Sequence, residues 1–148
     1  MLAHKAEAEA IAVVQHIVNG TGSVNYSAIP GVIYTHPEVG WIGKSQEDLV
    51  KEKIPFVKGI FPMKANHRAS INHDSEGAVK ILMHPETRKF LGIWCIGGSA
   101  GEMVAEGALA YSAGLTIDQV ISQSHSTPTL SEAFREACMA TVGKAIHV

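Results

Sequence analysis

The spacing of hydrophobic positions changes along the chain, from helical at the start to alternating in the middle and helical again at the end. Residues 2–18 predict a helix because apolar side chains recur three or four positions apart, and Asn19-Gly20 predicts its end. The apolar stripe comprises Leu2, Ala6, Ala10, Val13 and Ile17. The following stretch TGSVNYSAIPG is typical of a loop.

The next part of the chain predicts short elements separated by turns. VIYT at 32–35 predicts a short strand, and HPEVGWIG after it predicts a turn. Ser45 is placed to cap a helix over residues 46–53, with Asp48 at its third position.

A strand, a polar loop and a hairpin follow. FVKGIFPM at 56–63 has the β-rich composition of a strand, and the polar residues 64–76 predict a loop. AVKILM at 78–83 alternates, with Val79, Ile81 and Met83 on one face. The short turn HPETRK joins it to the apolar stretch FLGIWCIGG at 90–98, so the pair predicts a β-hairpin.

Three predicted helices close the chain, and each begins with a possible capping box. The boxes are Ser99-x-x-Glu102, Thr116-x-x-Gln119 and Thr129-x-x-Glu132. The first of these helices has the apolar stripe Met103, Val104, Gly107, Ala108, Tyr111 and Leu115. The last has Leu130, Phe134, Ala137 and Thr141 on one side.

The order of elements predicts an α+β fold, in which an antiparallel sheet carries helices packed on one face. The first helix precedes a glycine-rich break at residues 19–25, which indicates that it belongs to a neighbouring domain. With 148 residues and 46% hydrophobic composition, the chain is expected to form a real core.

Charge and composition narrow the function classes. The net charge of −2 and a pI of about 6.4 give no basis for binding nucleic acid or an anionic membrane. No apolar run approaches the ~20 residues of a membrane span, and the acidic start MLAHKAEAEA resembles neither a secretory signal nor a transit peptide. Cys95 and Cys138 lie inside apolar elements and are expected to be buried free thiols, as suits a reducing compartment.

The stretch SHSTPTLSEAFREA at 124–137 holds the strongest candidate chemistry. His125 is a possible proton carrier oriented by a carboxylate, although a loop histidine is more often solvated or bonded to backbone. Glu132 is a candidate for that carboxylate, but it also has a role as a capping residue with Thr129. Thr127 cannot act as a base near neutral pH, and Pro128 keeps it extended.

Other polar clusters give weaker signals. His67, His73 and Asp74 match no metal-ligand spacing, so no metal site is predicted. The glycines of GTGSVN at 20–25 follow a helix rather than a strand, which argues against a dinucleotide site. GGSAGE at 97–102 is better explained as a tight strand-to-helix turn than as an anion site.

Several stretches, in order, resemble the C-terminal interface domain of the dihydrolipoamide dehydrogenases, within the flavoprotein disulfide reductases. They are MLAHKAEAEA at 1–10, THPEVGWIGKSQEDL at 35–49, KANHRASINHDSEGAVKIL at 64–82, LGIWCIGGSAGEMVAEGALA at 91–110 and HSTPTLSEAFREA at 125–137. The resemblance divides the chain into residues 1–20, a helix matching the end of the FAD-binding region, and residues 21–148, the interface or dimerisation domain.

The resemblance implies a homodimeric enzyme that reoxidises dihydrolipoamide and passes electrons through a redox disulfide and FAD to NAD+. In that family the interface domain supplies a histidine before a proline to the other subunit's active site, and a glutamate orients it. The histidine takes a proton from the dithiol. The family's setting implies the mitochondrial matrix or the bacterial cytoplasm.

The family's site residues carry over by position. Glu132 matches the orienting glutamate, and Thr127 stands where the base histidine belongs. His125 matches an earlier histidine and is a possible substitute for the base. Pro128 matches the proline, whose preceding peptide bond is often cis in relatives. FAD-vicinity positions implied by the resemblance are Met1, Leu2, Ala3, His4, Thr127 and Pro128.

The departures from the family predict that the chain is inactive alone. It has no dinucleotide-binding glycine motif, no redox CxxxxC and no base histidine, so no cofactor is expected in the isolated chain. We expect a homodimerising domain. Two alternatives are a component that completes the active site of a separate flavin-domain chain, and a repurposed binding module that docks onto a 2-oxo acid dehydrogenase complex.

Overall fold

The computed structural model describes residues 2–148, and Met1 lies outside the described residues. The helices are α1 Ala3–Asn19, α2 Gln46–Lys51, α3 His67–Ile71, α4 Ala100–Ser112, α5 Ile117–Ser122 and α6 Glu132–Ala140. The strands are β1 Gly31–Ile33, β2 Glu38–Gly43, β3 Val57–Pro62, β4 Ala78–Met83 and β5 Phe90–Gly97.

The five strands form one antiparallel sheet in the order β1-β2-β5-β4-β3. The predicted hairpin is β4–β5, in which Val79 pairs with Cys95 and Ile81 with Ile93. Residues directly opposite each other point to the same face, so this register gathers the apolar positions of both strands on one side. All four of these side chains are fully buried.

The helices α4 and α6 cover that face, and the predicted α+β class is confirmed. Helix α4 packs on β2 and β5, whereas α6 packs on β3 and β4. Phe134 of α6 is fully buried, and its ring stacks on Phe90 with the ring centroids 5.8 Å apart. The two helices therefore seal a single apolar core against the sheet.

Gly59 allows α6 to lie close to the sheet. A Cβ at this position would lie 2.3 Å from the carbonyl oxygen of Ala137 and 2.7 Å from the backbone nitrogen of Thr141. Only a residue without a side chain fits between β3 and this end of α6.

The opposite face of the sheet carries aromatic and long polar side chains. The indoles of Trp41 on β2 and Trp94 on β5 stack, with centroids 5.6 Å apart and planes 9° apart. The Lys80 ammonium lies over the Trp94 ring, 5.6 Å from its centroid. Part of this face is open to solvent, since Ile60 and Ile96 are both exposed.

Two of the predicted local structures are wrong. HPEVGWIG, expected to turn, forms β2, because Glu38–Gly43 pairs along its whole length with β5. The expected loop at 64–76 contains α3, which Asn66 caps by accepting a hydrogen bond from the Ala69 N–H at 2.9 Å. Both elements are too short to have a clear hydrophobic period, and tertiary partners stabilise them.

The capping predictions have mixed outcomes. The boxes of Ser45 with Asp48 and of Thr116 with Gln119 are both present and confirmed. The box of Ser99 with Glu102 is wrong, because Ser99 has a φ of 59° and makes no side-chain cap. Instead the carboxylate of Glu38 on β2 accepts the Gly101 N–H at 3.0 Å. A carboxylate is favourable at a helix N-terminus, and here it belongs to β2 rather than to the first turn of α4 itself.

Helix α1 lies beside the segment that follows it rather than against the sheet. His4 Nε2 is 2.7 Å from the Pro30 carbonyl oxygen, and the Tyr26 hydroxyl donates to Glu9 at 3.0 Å. Within Ala3–Asn19 only Ala12 is buried. The apolar stripe predicted from Leu2 to Ile17 is therefore present but exposed in this chain.

Candidate functional site

The candidate site is the corner where the loop after α5 enters α6. Glu132 is the first residue of α6, and its Oε2 accepts the Thr129 N–H at 2.9 Å. The reciprocal bond of a capping box, from the Glu132 N–H to the Thr129 hydroxyl, is not formed, and the hydroxyl donates to the Ser126 carbonyl at 2.7 Å. The predicted capping box is thus only half formed, and the Glu132 carboxylate ties the loop to the helix.

Asn66 fastens the same loop from the other side. Its side-chain nitrogen donates to the Thr129 carbonyl at 2.9 Å, while its side-chain oxygen caps α3. Asn66 is one of three buried polar or charged residues among those described. Because its amide is satisfied at both ends, it holds Thr129 at a defined distance from α3.

His125 binds the carboxylate of Glu106, whereas the sequence suggested Glu132 as its partner. Its Nε2 lies 2.7 Å from Oε1 of Glu106 on α4, and its Nδ1 lies 3.2 Å from the Gln123 carbonyl. The imidazole is only 6% exposed. The structure therefore gives His125 the task of anchoring the loop to α4.

Thr127 and Pro128 stand at the exposed crest of this loop. The peptide bond between them is cis, as the resemblance led us to expect. The loop is held on both sides, at His125 by Glu106 and at Thr129 by Asn66 and Glu132. The position where the base histidine was expected is therefore well supported but carries a hydroxyl.

A second carboxylate, Glu136, lies one helical turn beyond Glu132 on α6. It is 3% exposed, and its Oε2 accepts the backbone N–H groups of Ile146 at 2.8 Å and His147 at 3.3 Å. Its Oε1 lies 3.4 Å from Nδ1 of His147. A single buried carboxylate thus binds the last residues of the chain to α6.

Glu132 and Glu136 line a common recess with two histidines. The recess has a volume of about 10 Å³, which is room for about one water molecule, and its wall comprises Phe61, Ala65, Asn66, His67, Glu132, Glu136 and His147. The rings of His67 and His147 have centroids 5.7 Å apart and planes 57° apart. The recess therefore brings two carboxylates and two imidazoles together at the corner.

Sequence reasoning missed Glu106, Asn66, Glu136 and His147. Only Glu136 had a usable signal, because positions four apart on a helix share a face and Glu136 follows Glu132 by four. Glu106 is separated from His125 by 19 positions, and Asn66 from Thr129 by 63. Contacts over such separations depend on the tertiary fold.

The positions matched to the FAD vicinity lie in two places. Leu2 and Ala3 are exposed at the start of α1, and His4 contacts Pro30. Thr127 and Pro128 are exposed on the loop before α6. Met1 lies outside the described residues.

Both cysteines are buried free thiols, as expected. Burial raises the pKa of the Cys95 thiol to about 12. Burial also raises the pKa of Cys138, and the nearby Glu106 carboxylate adds to the effect. A thiolate is the reactive form, so burial disfavours thiol chemistry at both cysteines in the folded chain.

The described residues form neither a metal-binding cluster nor a membrane-spanning helix. From residue 2 to residue 148, no three His, Cys, Asp or Glu side chains are grouped so that they could hold a metal ion. None of the helices that the structure describes is long and apolar enough to cross a membrane.

Comparison with protein families and curated proteins gives consistent matches. The model of the pyridine nucleotide-disulphide oxidoreductase dimerisation domain matches residues 29–138. Over 147 residues the chain is 56% identical to the dihydrolipoamide dehydrogenase of Chaetomium thermophilum, covering 99% of this chain and 29% of that protein. Over 148 residues it is 49% identical to the mitochondrial dihydrolipoyl dehydrogenase of Dictyostelium discoideum, covering 100% of this chain and 30% of that protein. The chain thus spans less than a third of the length of these relatives.

Solved structures share the fold at low identity. LpdA from Mycobacterium tuberculosis superposes with a TM-score of 0.80 and 21% identity, covering 85% of this chain and 28% of that one. The Cu(II) complex of the HOCl-induced flavoprotein disulfide reductase RclA from Escherichia coli gives a TM-score of 0.87 and 18% identity, covering 93% and 32%.

Proposed function

Since this chain belongs to the pyridine nucleotide-disulphide oxidoreductase dimerisation-domain family, we propose that it associates with a second copy of itself through the surface that the family uses. It is the dimerisation domain of dihydrolipoamide dehydrogenase-like reductases. The observation that carries the proposal is the family match over residues 29–138, which includes the whole sheet, helices α2 to α5 and α6 as far as Cys138.

Packing within the chain limits which surface is free for this association. Helix α6 is almost wholly buried within its own chain, which leaves little of its surface for an interface with another copy. Helix α4 still offers Leu109, which is 71% exposed, and the open face of the sheet offers Ile60 and Ile96. Exposed apolar side chains of this size are typical of surfaces that become covered on association.

Within a reductase of full length, we propose that the loop around Thr127 faces the active site of the other subunit. Glu132 then occupies the position of the carboxylate that orients the base. Thr127 provides an exposed loop position but no titratable group near neutral pH, so a chain of this sequence needs another proton acceptor. Support comes from the three anchors of the loop, Glu106, Asn66 and Glu132, which preorganise it.

We propose that this chain contacts FAD only at the start of α1 and on the loop before α6. Residues 2–4, Thr127 and Pro128 are exposed and leave room for a neighbouring group, whereas a site that encloses a dinucleotide requires other segments. Residues 1–20 are accordingly proposed as part of the FAD-binding region, and residues 21–148 as the dimerisation domain. The exposed apolar side of α1 supports this division, since nothing in the described chain covers it.

The location proposed is the mitochondrial matrix. Relatives at 49–50% identity from Dictyostelium discoideum and Rattus norvegicus are named as mitochondrial dihydrolipoyl dehydrogenases. The two buried, unpaired cysteines suit a reducing compartment of this kind.

Sedimentation equilibrium of the purified chain, followed at protein and flavin wavelengths, tests the proposal. The expected result is a colourless dimer, because the association surface belongs to this domain and the enclosing FAD site does not. A monomer at micromolar concentration would contradict self-association. Flavin that sediments with the protein would contradict the assignment of edge contacts only.

A further inference from the structure

We propose that His147 is the proton acceptor of the Glu132 corner in this chain, and that Glu136 is its positioning residue. The inference rests on the proposed placement of this corner at the other subunit's active site. Its substrate is the dithiol that the family resemblance implies, whereas its geometry stands on contacts within this chain. It explains how a chain with Thr127 at the base position can still provide an imidazole to the site.

The first support is the arrangement of His147 and Glu136. Nδ1 of His147 lies 3.4 Å from a carboxylate oxygen of Glu136, and the backbone N–H of His147 is bound by the other oxygen at 3.3 Å. The carboxylate therefore holds both the ring and the main chain of the same residue. An imidazole whose Nδ1 faces a buried carboxylate presents the lone pair of Nε2 outward, as an oriented general base does.

The second support is accessibility. The carboxylate of Glu136 is 3% exposed and therefore fixed, whereas the His147 side chain is 42% exposed. His125 has the reverse character, because it is 6% exposed and both of its ring nitrogens face oxygen acceptors. Of these two imidazoles, only His147 combines a buried carboxylate partner with a solvent-facing ring.

The third support is proximity to the corner. Glu136 follows Glu132 by four residues on α6, so their side chains lie about 5–6 Å apart at Cβ. His147 and Glu132 line the same recess of about 10 Å³, which has room for about one bridging water. The ring of His67 is tilted against that of His147, with the two centroids 5.7 Å apart.

The proposed step is a single proton transfer. The S–H bond of the dithiol breaks, the proton forms an N–H bond at Nε2 of His147, and the electron pair stays on sulfur as a thiolate. Glu136 stabilises the resulting imidazolium through Nδ1. The other ionisable groups that line the recess with His147 are His67 and Glu132. No other group is consumed or formed.

Nuclear magnetic resonance of the ¹⁵N-labelled chain tests the geometry without any enzyme assay. Correlation of the ring nitrogens with the ring protons shows which nitrogen of the neutral imidazole carries the proton. We expect the proton of His147 on Nδ1, facing Glu136, and a bare Nε2. In Glu136→Ala, which removes the acceptor oxygen, we expect the proton to move toward Nε2. A proton on Nε2 in the unchanged chain, or a tautomer that Glu136→Ala leaves unaltered, would overturn the proposal.

A kinetic test uses the full-length Chaetomium thermophilum relative with its matching segment replaced by these 148 residues. His147→Gln is expected to lower dihydrolipoamide turnover by ~10²–10⁴-fold, and adding Thr127→His is expected to restore it. His73→Asn is the matched control, because His73 is exposed and has a φ of 55°, which asparagine tolerates. Unchanged turnover in His147→Gln overturns the proposal. An unaltered hybrid that is inactive but is rescued by Thr127→His would also overturn the proposal, because His147 would then not supply the missing base. If Thr127→His does not restore turnover either, the proposed placement of the loop at the other subunit's active site fails, and the tautomer measurement alone decides the role of His147.

Discussion

The imidazole of His125 is bound by Glu106, with Nε2 2.7 Å from the carboxylate Oε1, and this pair joins the loop before α6 to helix α4. The histidine is almost completely buried, whereas the glutamate is 38% exposed. The contact is therefore structural, and it fixes one side of the loop that carries Thr127.

A double-mutant cycle of His125→Ala and Glu106→Ala is expected to show a coupling free energy of about 1 kcal/mol. The coupling is modest because water partly screens the glutamate. Urea denaturation of the four proteins measures it. The cycle of His125→Ala with Glu102→Ala, which changes a different glutamate of α4, is the control and should give no coupling. Additive effects for the first pair would contradict the anchor.

Glu136→Ala is expected to lower the free energy of unfolding by about 2 kcal/mol, because charge-assisted hydrogen bonds to two backbone N–H groups are lost. Glu136→Gln keeps an acceptor oxygen and is expected to lose about half as much. Hydrogen exchange gives the specific measurement, since the amides of Ile146 and His147 should lose protection in Glu136→Ala. Retained protection would show that the carboxylate does not hold the end of the chain.

Gly59→Ala is expected to destabilise the fold by about 2–3 kcal/mol, because the new Cβ would lie 2.3 Å from the Ala137 carbonyl oxygen. Lys58→Ala, at the neighbouring exposed position of β3, serves as the control and should change stability by less than about 0.5 kcal/mol. Chemical denaturation measures both. Equal stability of the two variants would mean that α6 shifts away from the sheet without penalty.

Cys95 and Cys138 are expected to resist thiol reagents in the folded chain at pH 8. With the pKa of Cys95 raised to about 12, roughly 10⁻⁴ of its thiol is ionised at that pH. Labelling should be at least about 10³-fold slower than in denaturant, where both thiols react. Mass spectrometry follows the reaction, and rapid labelling of either residue without denaturant would contradict the burial.

The same two groups predict how stability depends on alkaline pH. Their pKa values are higher in the folded chain than in the unfolded chain, so the folded state binds more protons at high pH. Their contribution is complete below the unfolded value of about 8.5 and is lost progressively as the pH rises above it. Thermal unfolding of Cys95→Ala and of the unchanged chain, compared between pH 8 and 10, isolates the contribution of Cys95 to the loss of stability. Parallel pH profiles of the two proteins would contradict that contribution.

The sequence by itself determined the elements whose stability is local. Alternation in AVKILM and the apolar run FLGIWCIGG gave the β4–β5 hairpin. The capping boxes at Ser45 and Thr116 gave the starts of α2 and α5, because each box is complete within four residues. The Thr129-x-x-Glu132 pattern located the start of α6, and the family resemblance predicted the cis bond before Pro128.

Tertiary structure decided what each polar side chain binds. β2 is a strand because β5 pairs with it, and α4 is capped by Glu38 rather than by Ser99. His125 binds Glu106, and Glu136 binds the end of the chain. These partners are 10 to 63 positions apart, and a hydrogen bond between distant positions forms only once packing of the core has brought them together. Periodicity and capping report the preferences of neighbouring residues, so they place the elements but not the contacts between them.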